Sequence, residues 1–211
     1  MTNRIVRFVQ LLIQIWFRMG LRLHVKYKEN IPRSGPVIIA SNHVSGFDPF
    51  LVGSLLPRVS YYLAKKELFE NIFLRLLLQF LRAIPVDRSG QSVGGVREIK
   101  KVLEKEQLIL LFPEGTRSLD GKIGEPKKGI GLLACTTNAT IVPVFIDGMF
   151  KRKPSVLKRP KVVVTFGEPL YPQKLLATAK NRKEQYSAIS DKVFAQLNRL
   201  SQSAEGIEQR A

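Results

Sequence analysis

Short runs of uninterrupted apolar residues, each followed by a polar turn and a helical pattern, constrain this chain more than any other feature. "VIIA" (37–40) and "LILLF" (108–112) hold no polar residue at all. A strand with one face in water alternates apolar and polar side chains, whereas a strand that is apolar at every position is covered on both faces. Further strands are predicted at "VSYYLAK" (59–65), "AIPV" (83–86), "TIVPVFIDG" (140–148) and, with period-two character, "KVVVTFGEPL" (161–170). Helices are predicted between them at "DPFLVGSLLP" (48–57), "ELFENIFLRLLLQFLR" (67–82), "VREIKKVLEKEQ" (96–107) and "KKGIGLLACTTN" (127–138). Strands alternating with helices predict an α/β fold, a mostly parallel central sheet covered by helices. The stretch from there to Ala211 is read as a polar, moderately helical tail.

The N-terminal segment "NRIVRFVQLLIQIWFRMGLRL" (3–23) follows a different rule. Arg4, Arg7, Gln10, Gln14, Arg18 and Arg22 recur every three or four positions, and on a helix they form one narrow stripe. Nearly every other position is apolar. The uncharged stretch from Phe8 to Phe17 is too short to span a bilayer, and no small-residue cleavage site follows it. A wide apolar face with a basic stripe and Trp16 describes a helix lying in the membrane interface. Residues 1–28 are therefore read as an amphipathic membrane-interface segment and 29–211 as a single domain.

Charge narrows the partners. The 211 residues carry 34 Lys+Arg against 17 Asp+Glu, a formal +17, which calls for an anionic partner: nucleic acid, a membrane surface or a phosphorylated substrate. The one cysteine, Cys135, excludes an internal disulfide or a cysteine-based metal site and fits a reducing compartment.

Three candidate stretches follow predicted strand ends, where ligands gather in parallel sheets. In "HVSGFD", His43 stands five positions before Asp48. Imidazole has the pKa to take a proton from a hydroxyl near pH 7, and a carboxylate on its other nitrogen fixes the tautomer. Asp48-Pro49 before "FLVGSLL" is equally good helix-capping chemistry. In "FPEGTRS", Glu114 is followed by Gly115, which permits positive φ or close backbone approach, by the Thr116 hydroxyl, and by Arg117, a fork of donors suited to phosphate. "IPVDR" places Arg88 at a strand end. Lys127 and Lys128 lead into a glycine-rich helix and read as a solvated pair.

Together and in this order the blocks "HVSGFD", "IPVDR", "FPEGTRS" and "IVPVFIDG", the last around Pro143, resemble the glycerolipid acyltransferases of the lysophosphatidate (1-acyl-glycerol-3-phosphate) type. The resemblance runs over roughly residues 30–150, with the core motifs in 37–148. It implies a membrane-associated enzyme, peripheral or monotopic on the cytoplasmic face. His43 would be the general base on the sn-2 hydroxyl of lysophosphatidic acid, oriented by Asp48, with phosphatidic acid as product. Arg88 and Arg117 would hold the acceptor phosphate, Gly115 and Thr116 would shape that site, and Glu114 would position the acceptor or the arginines. Pro143 would shape the pocket for the acyl chain or donor. No cofactor or metal is implied. Acyl-CoA or acyl carrier protein would serve as co-substrate, and no acyl-enzyme is needed. Glycerol 3-phosphate or another lysolipid remains open as acceptor. A non-enzymatic binder of anionic lipid or nucleic acid would explain the charge but not the blocks, and no nucleic-acid motif is present.

Overall fold

The computed structural model describes residues 3–86, 93–125, 127, 129–175 and 181–208. Its strands are β1 (Arg22–Lys26), β2 (Val37–Ser41), β3 (Ser60–Lys65), β4 (Ala83–Val86), β5 (Leu108–Leu111), β6 (Thr140–Asp147) and β7 (Lys161–Phe166). Its helices are α1 (Asn3–Gly20), α2 (Asp48–Leu55), α3 (Ile72–Phe80), α4 (Val93–Glu104), α5 (Gly129–Thr137), α6 (Pro172–Leu175) and α7 (Arg182–Glu208). The strands form one sheet in the order β1-β7-β6-β2-β5-β3-β4. From β6 across to β4 all neighbours are parallel. β7 runs antiparallel to β6, and β1 runs parallel to β7.

The predicted mostly parallel sheet is therefore present, and its central strands show why their sequences are apolar throughout. Val37 and Ile39 of β2 face the cluster built with Phe17 of α1, Leu21 just past its end, and Leu51 and Leu55 of α2. Ile38 and Ala40 face the opposite cluster, built with Ile99, Leu103, Leu133, Ile189 and Val193 from α4, α5 and α7. Each fully buried Leu or Ile contributes about 1.5–3 kcal/mol, so neither face tolerates a polar substitution in these strands.

Three sequence expectations are corrected. The helix read over 3–23 ends at Gly20, and Arg22–Lys26 turn into an edge strand paired with β7. Alternation there sends Leu23 and Val25 onto the core and leaves Arg22 and His24 exposed. The helix read over 67–82 breaks into a 3-10 turn, Lys66–Phe69, and α3. Asn71 starts α3 by accepting the N–H groups of Phe73 and Leu74 on its side-chain oxygen, at 3.0 and 3.1 Å. The C-terminal stretch is no tail: the 27-residue α7 buries Ile189, Val193 and Leu197, spaced four apart, against the sheet.

Helix α1 turns Gln10, the middle of its polar stripe, inward, while Arg4, Arg7 and Arg18 stay exposed. Gln10 is buried and donates from Nε2 to the Gly53 carbonyl at 3.2 Å, and Arg7 donates to the Leu56 carbonyl at 2.8 Å. Phe8, Leu11, Leu12, Ile15, Trp16 and Met19 are exposed. Only Val6, Phe17 and the partly covered Ile13 among its large apolar residues pack inward. α3 also leaves large apolar side chains in the open: Leu78 is buried, while Ile72, Leu76 and Phe73 are exposed, Phe73 at 81%. Among the described residues no helix is long and apolar enough to cross a membrane.

Candidate active site

Beyond the carboxyl end of β2 the chain leaves the sheet at Ser41 and runs through Asn42 and His43 into a loop that returns at Asp48. Asn42 is buried and clamps this exit to β6. Its Nδ2 donates to the Ile146 carbonyl at 3.1 Å, and its Oδ1 accepts the Ile146 N–H at 2.8 Å. His43 therefore starts from a fixed backbone position.

Asp48 is fully buried, and its Oδ2 lies 2.9 Å from His43 Nδ1. The same oxygen accepts the backbone N–H groups of Val44 and Ser45, both at 2.7 Å. An oxygen already receiving two N–H groups acts as an acceptor toward the third, so Nδ1 carries hydrogen and Nε2 keeps the lone pair. The carboxylate turns back onto its own loop instead of capping α2, although Asp48 and Pro49 do form the first turn of that helix. The capping alternative is thereby corrected.

The "FPEGTRS" turn closes over His43 from the end of β5. Phe112 stacks on the imidazole with ring centroids 4.0 Å apart. Glu114 Oε1 accepts the His43 N–H at 3.1 Å, and the Ser118 N–H donates to the His43 carbonyl at 2.8 Å. The second Glu114 oxygen accepts the Gly124 N–H at 3.1 Å. Burial pushes the Glu114 carboxyl up from its usual range, and the N–H groups of Gly124 and His43 oppose that shift. Glu114 thus ties three loops together.

Gly115 has φ +76°, and a side-chain carbon built there would stand 2.7 Å from Lys127 Nζ. The positive φ favours glycine here, whereas the lysine end could move aside. Lys127 is exposed, as read from sequence, and its side chain lies against this turn. Arg117 is exposed and lies against the other glycine of the site, with one guanidinium nitrogen 3.6 Å from a carbon built on Gly46. Thr116 and Arg117 line, together with His43, a cavity of about 620 Å3. Its wall continues through Pro49, Phe50, Leu63, Leu78 and Leu81, and Gln10, Ser54 and Tyr62 also line it. Burial raises the Tyr62 hydroxyl pKa, with hydrogen bonds to Ser60 and Gln10 opposing.

The structure thus brings His43, Asp48, Glu114, Gly115, Thr116 and Arg117 together. Pro143 is not among them: it lies buried inside β6, opposite Ala40 in register, and does not line the cavity. Arg88 and Lys128 lie outside the described residues. Sequence reasoning missed Phe112, Asn42 and Lys127 as site components. Phe112 opens the "FPEGTRS" block and Asn42 directly precedes "HVSGFD", but stacking and the clamp onto β6 depend on strand order.

A site beyond the carboxyl ends of a doubly covered, mostly parallel sheet, with an apolar cavity at its side, defines an α/β enzyme class with many chemistries. Comparison narrows it. A sequence profile described as Acyltransferase matches residues 22–147, and the chain belongs to that family of acyltransferases. It is 32% identical over 156 residues to a 1-acyl-sn-glycerol-3-phosphate acyltransferase of Bacillus subtilis, covering 72% of this chain and 77% of that one. A protein of the same name from Borreliella burgdorferi is 33% identical over 134 residues, 63% of this chain and 53% of that one. The fold is shared with the crystal structure of the 1-acyl-sn-glycerophosphate (LPA) acyltransferase PlsC from Thermotoga maritima. That match has a TM-score of 0.70 at 24% identity and covers 95% of this chain and 84% of the other.

Proposed function

We propose that this acyltransferase moves an acyl group from a thioester donor to the sn-2 hydroxyl of 1-acyl-glycerol-3-phosphate, giving phosphatidic acid. The observation that carries the mechanism is the 2.9 Å contact of His43 with buried Asp48, beside a cavity that His43 and Arg117 both line. Nε2 of His43 accepts the hydroxyl proton as the oxygen attacks the thioester carbonyl. The C–S bond then breaks, and the leaving thiolate takes the proton from the imidazolium, which Asp48 stabilises throughout. Arg117 and Lys127 hold the acceptor phosphate, with Arg88 assigned to the same task from its motif. Thr116 and the Gly115 turn shape that site. Glu114, with both oxygens on backbone N–H groups, positions the loops and transfers no proton.

Direct transfer is favoured by the surroundings of His43. The neighbouring Ser45 hydroxyl accepts the Phe47 N–H at 3.3 Å, and no hydroxyl or thiol among the described residues bonds the imidazole. The apolar wall of the cavity suits a fatty acyl chain. The names of the relatives support the lysophosphatidic acid acceptor, and the exposed outer face of α1 supports work at a membrane surface. The donor is acyl-CoA or acyl carrier protein.

The test is a transfer assay with purified protein, offering 1-acyl-glycerol-3-phosphate, glycerol 3-phosphate and a lysophosphatidylcholine with each donor type. Turnover is expected with the first acceptor, falling by about 1,000-fold or more in His43→Ala and about 100-fold in Asp48→Asn with little change in KM. Near-normal turnover in the His43 variant would sink the mechanism. Arg117→Ala should raise the acceptor KM by about 10-fold, and an unchanged KM would remove it from the phosphate site.

A further inference from the structure

We propose that residues 148–160, the loop joining β6 to β7, form a docking site for the headgroups of anionic phospholipids. This rests on the membrane-surface reading above and assigns it a second, separate contact besides α1. Between Gly148 and Gly167 the chain carries six cations and no acid: Lys151, Arg152, Lys153, Lys158, Arg159 and Lys161. The first five are exposed. Such a run repels itself, and an anionic partner relieves that repulsion.

At the tip of the loop stand Val156 and Leu157, exposed at 65% and 97%. They are held in place. Met149 anchors the start of the loop in the core, and the Lys158 N–H donates to the Ser155 hydroxyl at 3.2 Å. The Arg159 N–H donates to the Ser155 carbonyl at 2.8 Å. An apolar pair presented on an ordered turn between two groups of cations matches a bilayer surface, where side chains enter the headgroup zone while Lys and Arg meet phosphate. A nucleic-acid backbone or an acidic protein surface would use the cations but leave Leu157 without a partner.

Position favours the same occupant. The Ser155 N–H donates to the Gly20 carbonyl at 2.8 Å, and Arg159 donates from its guanidinium to the Arg18 carbonyl at 3.1 Å. Val156 and Met19, both exposed, therefore stand one residue to either side of a single backbone contact. The loop is a continuation of the end of α1 whose apolar side lies open. Because β6 is parallel to β2, the loop also lies at the end of the sheet where His43 sits. Trp16 of α1 comes within 6.0 Å of Phe47, ring to ring, in the His43 loop. Docked lipid and catalytic histidine would share one end of the molecule.

The experiment uses the full chain and co-sedimentation with two vesicle types, phosphatidylcholine alone and equimolar phosphatidylcholine and phosphatidylglycerol. Replacing Lys151, Arg152 and Lys153 together by Gln should weaken partition onto the mixed vesicles by on the order of 100-fold, with little change on phosphatidylcholine. Leu157→Asp, at an exposed position where folding is insensitive, should weaken both by about 10-fold. Replacing Lys100 and Lys101 of α4 and Lys105 just past its end by Gln changes net charge equally on the other face of the sheet and should leave partition unchanged. Thermal unfolding verifies that each variant is folded.

Loop variants that partition like the parent, or a control that weakens partition as much, would overturn the loop site while leaving the membrane reading intact. Loop variants that lose only binding to duplex DNA or to acyl carrier protein would reassign the loop to that partner. A parent protein that sediments with neither vesicle would remove the membrane reading itself.

Discussion

Helices α1 and α7 cover opposite faces of one sheet, and they obey opposite rules. α7 buries Ile189, Val193 and Leu197 and turns exposed charged residues such as Lys183, Glu184 and Arg199 outward, as a helix facing water must. α1 buries Gln10 and exposes Phe8, Leu11, Leu12, Ile15, Trp16 and Met19. Each exposed large side chain forgoes roughly 1.5–3 kcal/mol that burial would contribute. A helix accepts that many losses when its outer surroundings are apolar for part of its working life. The difference teaches that the two faces are built on different terms, and on the membrane-surface reading proposed above the outer face of α1 is the one that meets lipid.

The contrast is open to direct challenge. The largest effect is expected at the inner side of α7: Val193→Asp places a charge among Ile189 and Leu197 and should cost about 5 kcal/mol, read as a collapse of the thermal midpoint. Next is Phe17→Ala, which removes the main inward anchor of α1, for about 3–5 kcal/mol by denaturant unfolding. A loss below about 1 kcal/mol would mean that α1 is only loosely attached. Gln10→Leu, removing the bond to Gly53, should destabilise by about 1–2 kcal/mol. A more stable protein would show the inward Gln10 to be incidental. The smallest effect on stability is expected for Leu12→Asp, within about 0.5 kcal/mol of the parent. That same variant should bind vesicles at least about 10-fold more weakly, a split that no position on α7 should show.

Much of this was legible in the residues because parallel strands leave a strong trace. β2 and β5 are apolar at every apolar-run position since both of their faces are covered. β1 escaped because an edge strand is half exposed, and its Leu23 and Val25 alternate with Arg22, His24 and Lys26. That period of two was present but was absorbed into the preceding helix. α7 escaped because its apolar positions are few, yet their spacing of four was readable. At the site, the His43–Asp48 spacing announced the pair but not the direction of the carboxylate. That direction is set by the Val44 and Ser45 N–H groups, a matter of loop conformation. Phe112 over His43 and Lys127 over Gly115 follow from the adjacency of β2 and β5, which no local pattern encodes. The stripe on α1 was equally visible. Which side of it faces inward is decided by the carbonyls of Gly53 and Leu56, contributed by another helix and its end.

The backbone of His43 is gripped at both its N–H and its carbonyl by residues 114 and 118. This has a consequence for the order of events as the chain folds. Those contacts close a span of more than seventy residues, among the slower kinds of contact to form. On a ribosome, the histidine emerges long before its partners. Its backbone acquires these two bonds only when β5 has been made and has zipped alongside β2. A partly synthesised or truncated chain ending before that point holds the histidine and the aspartate but has nothing to set them against. The stance of this histidine is thereby a product of strand pairing across the sheet and not of its own loop alone.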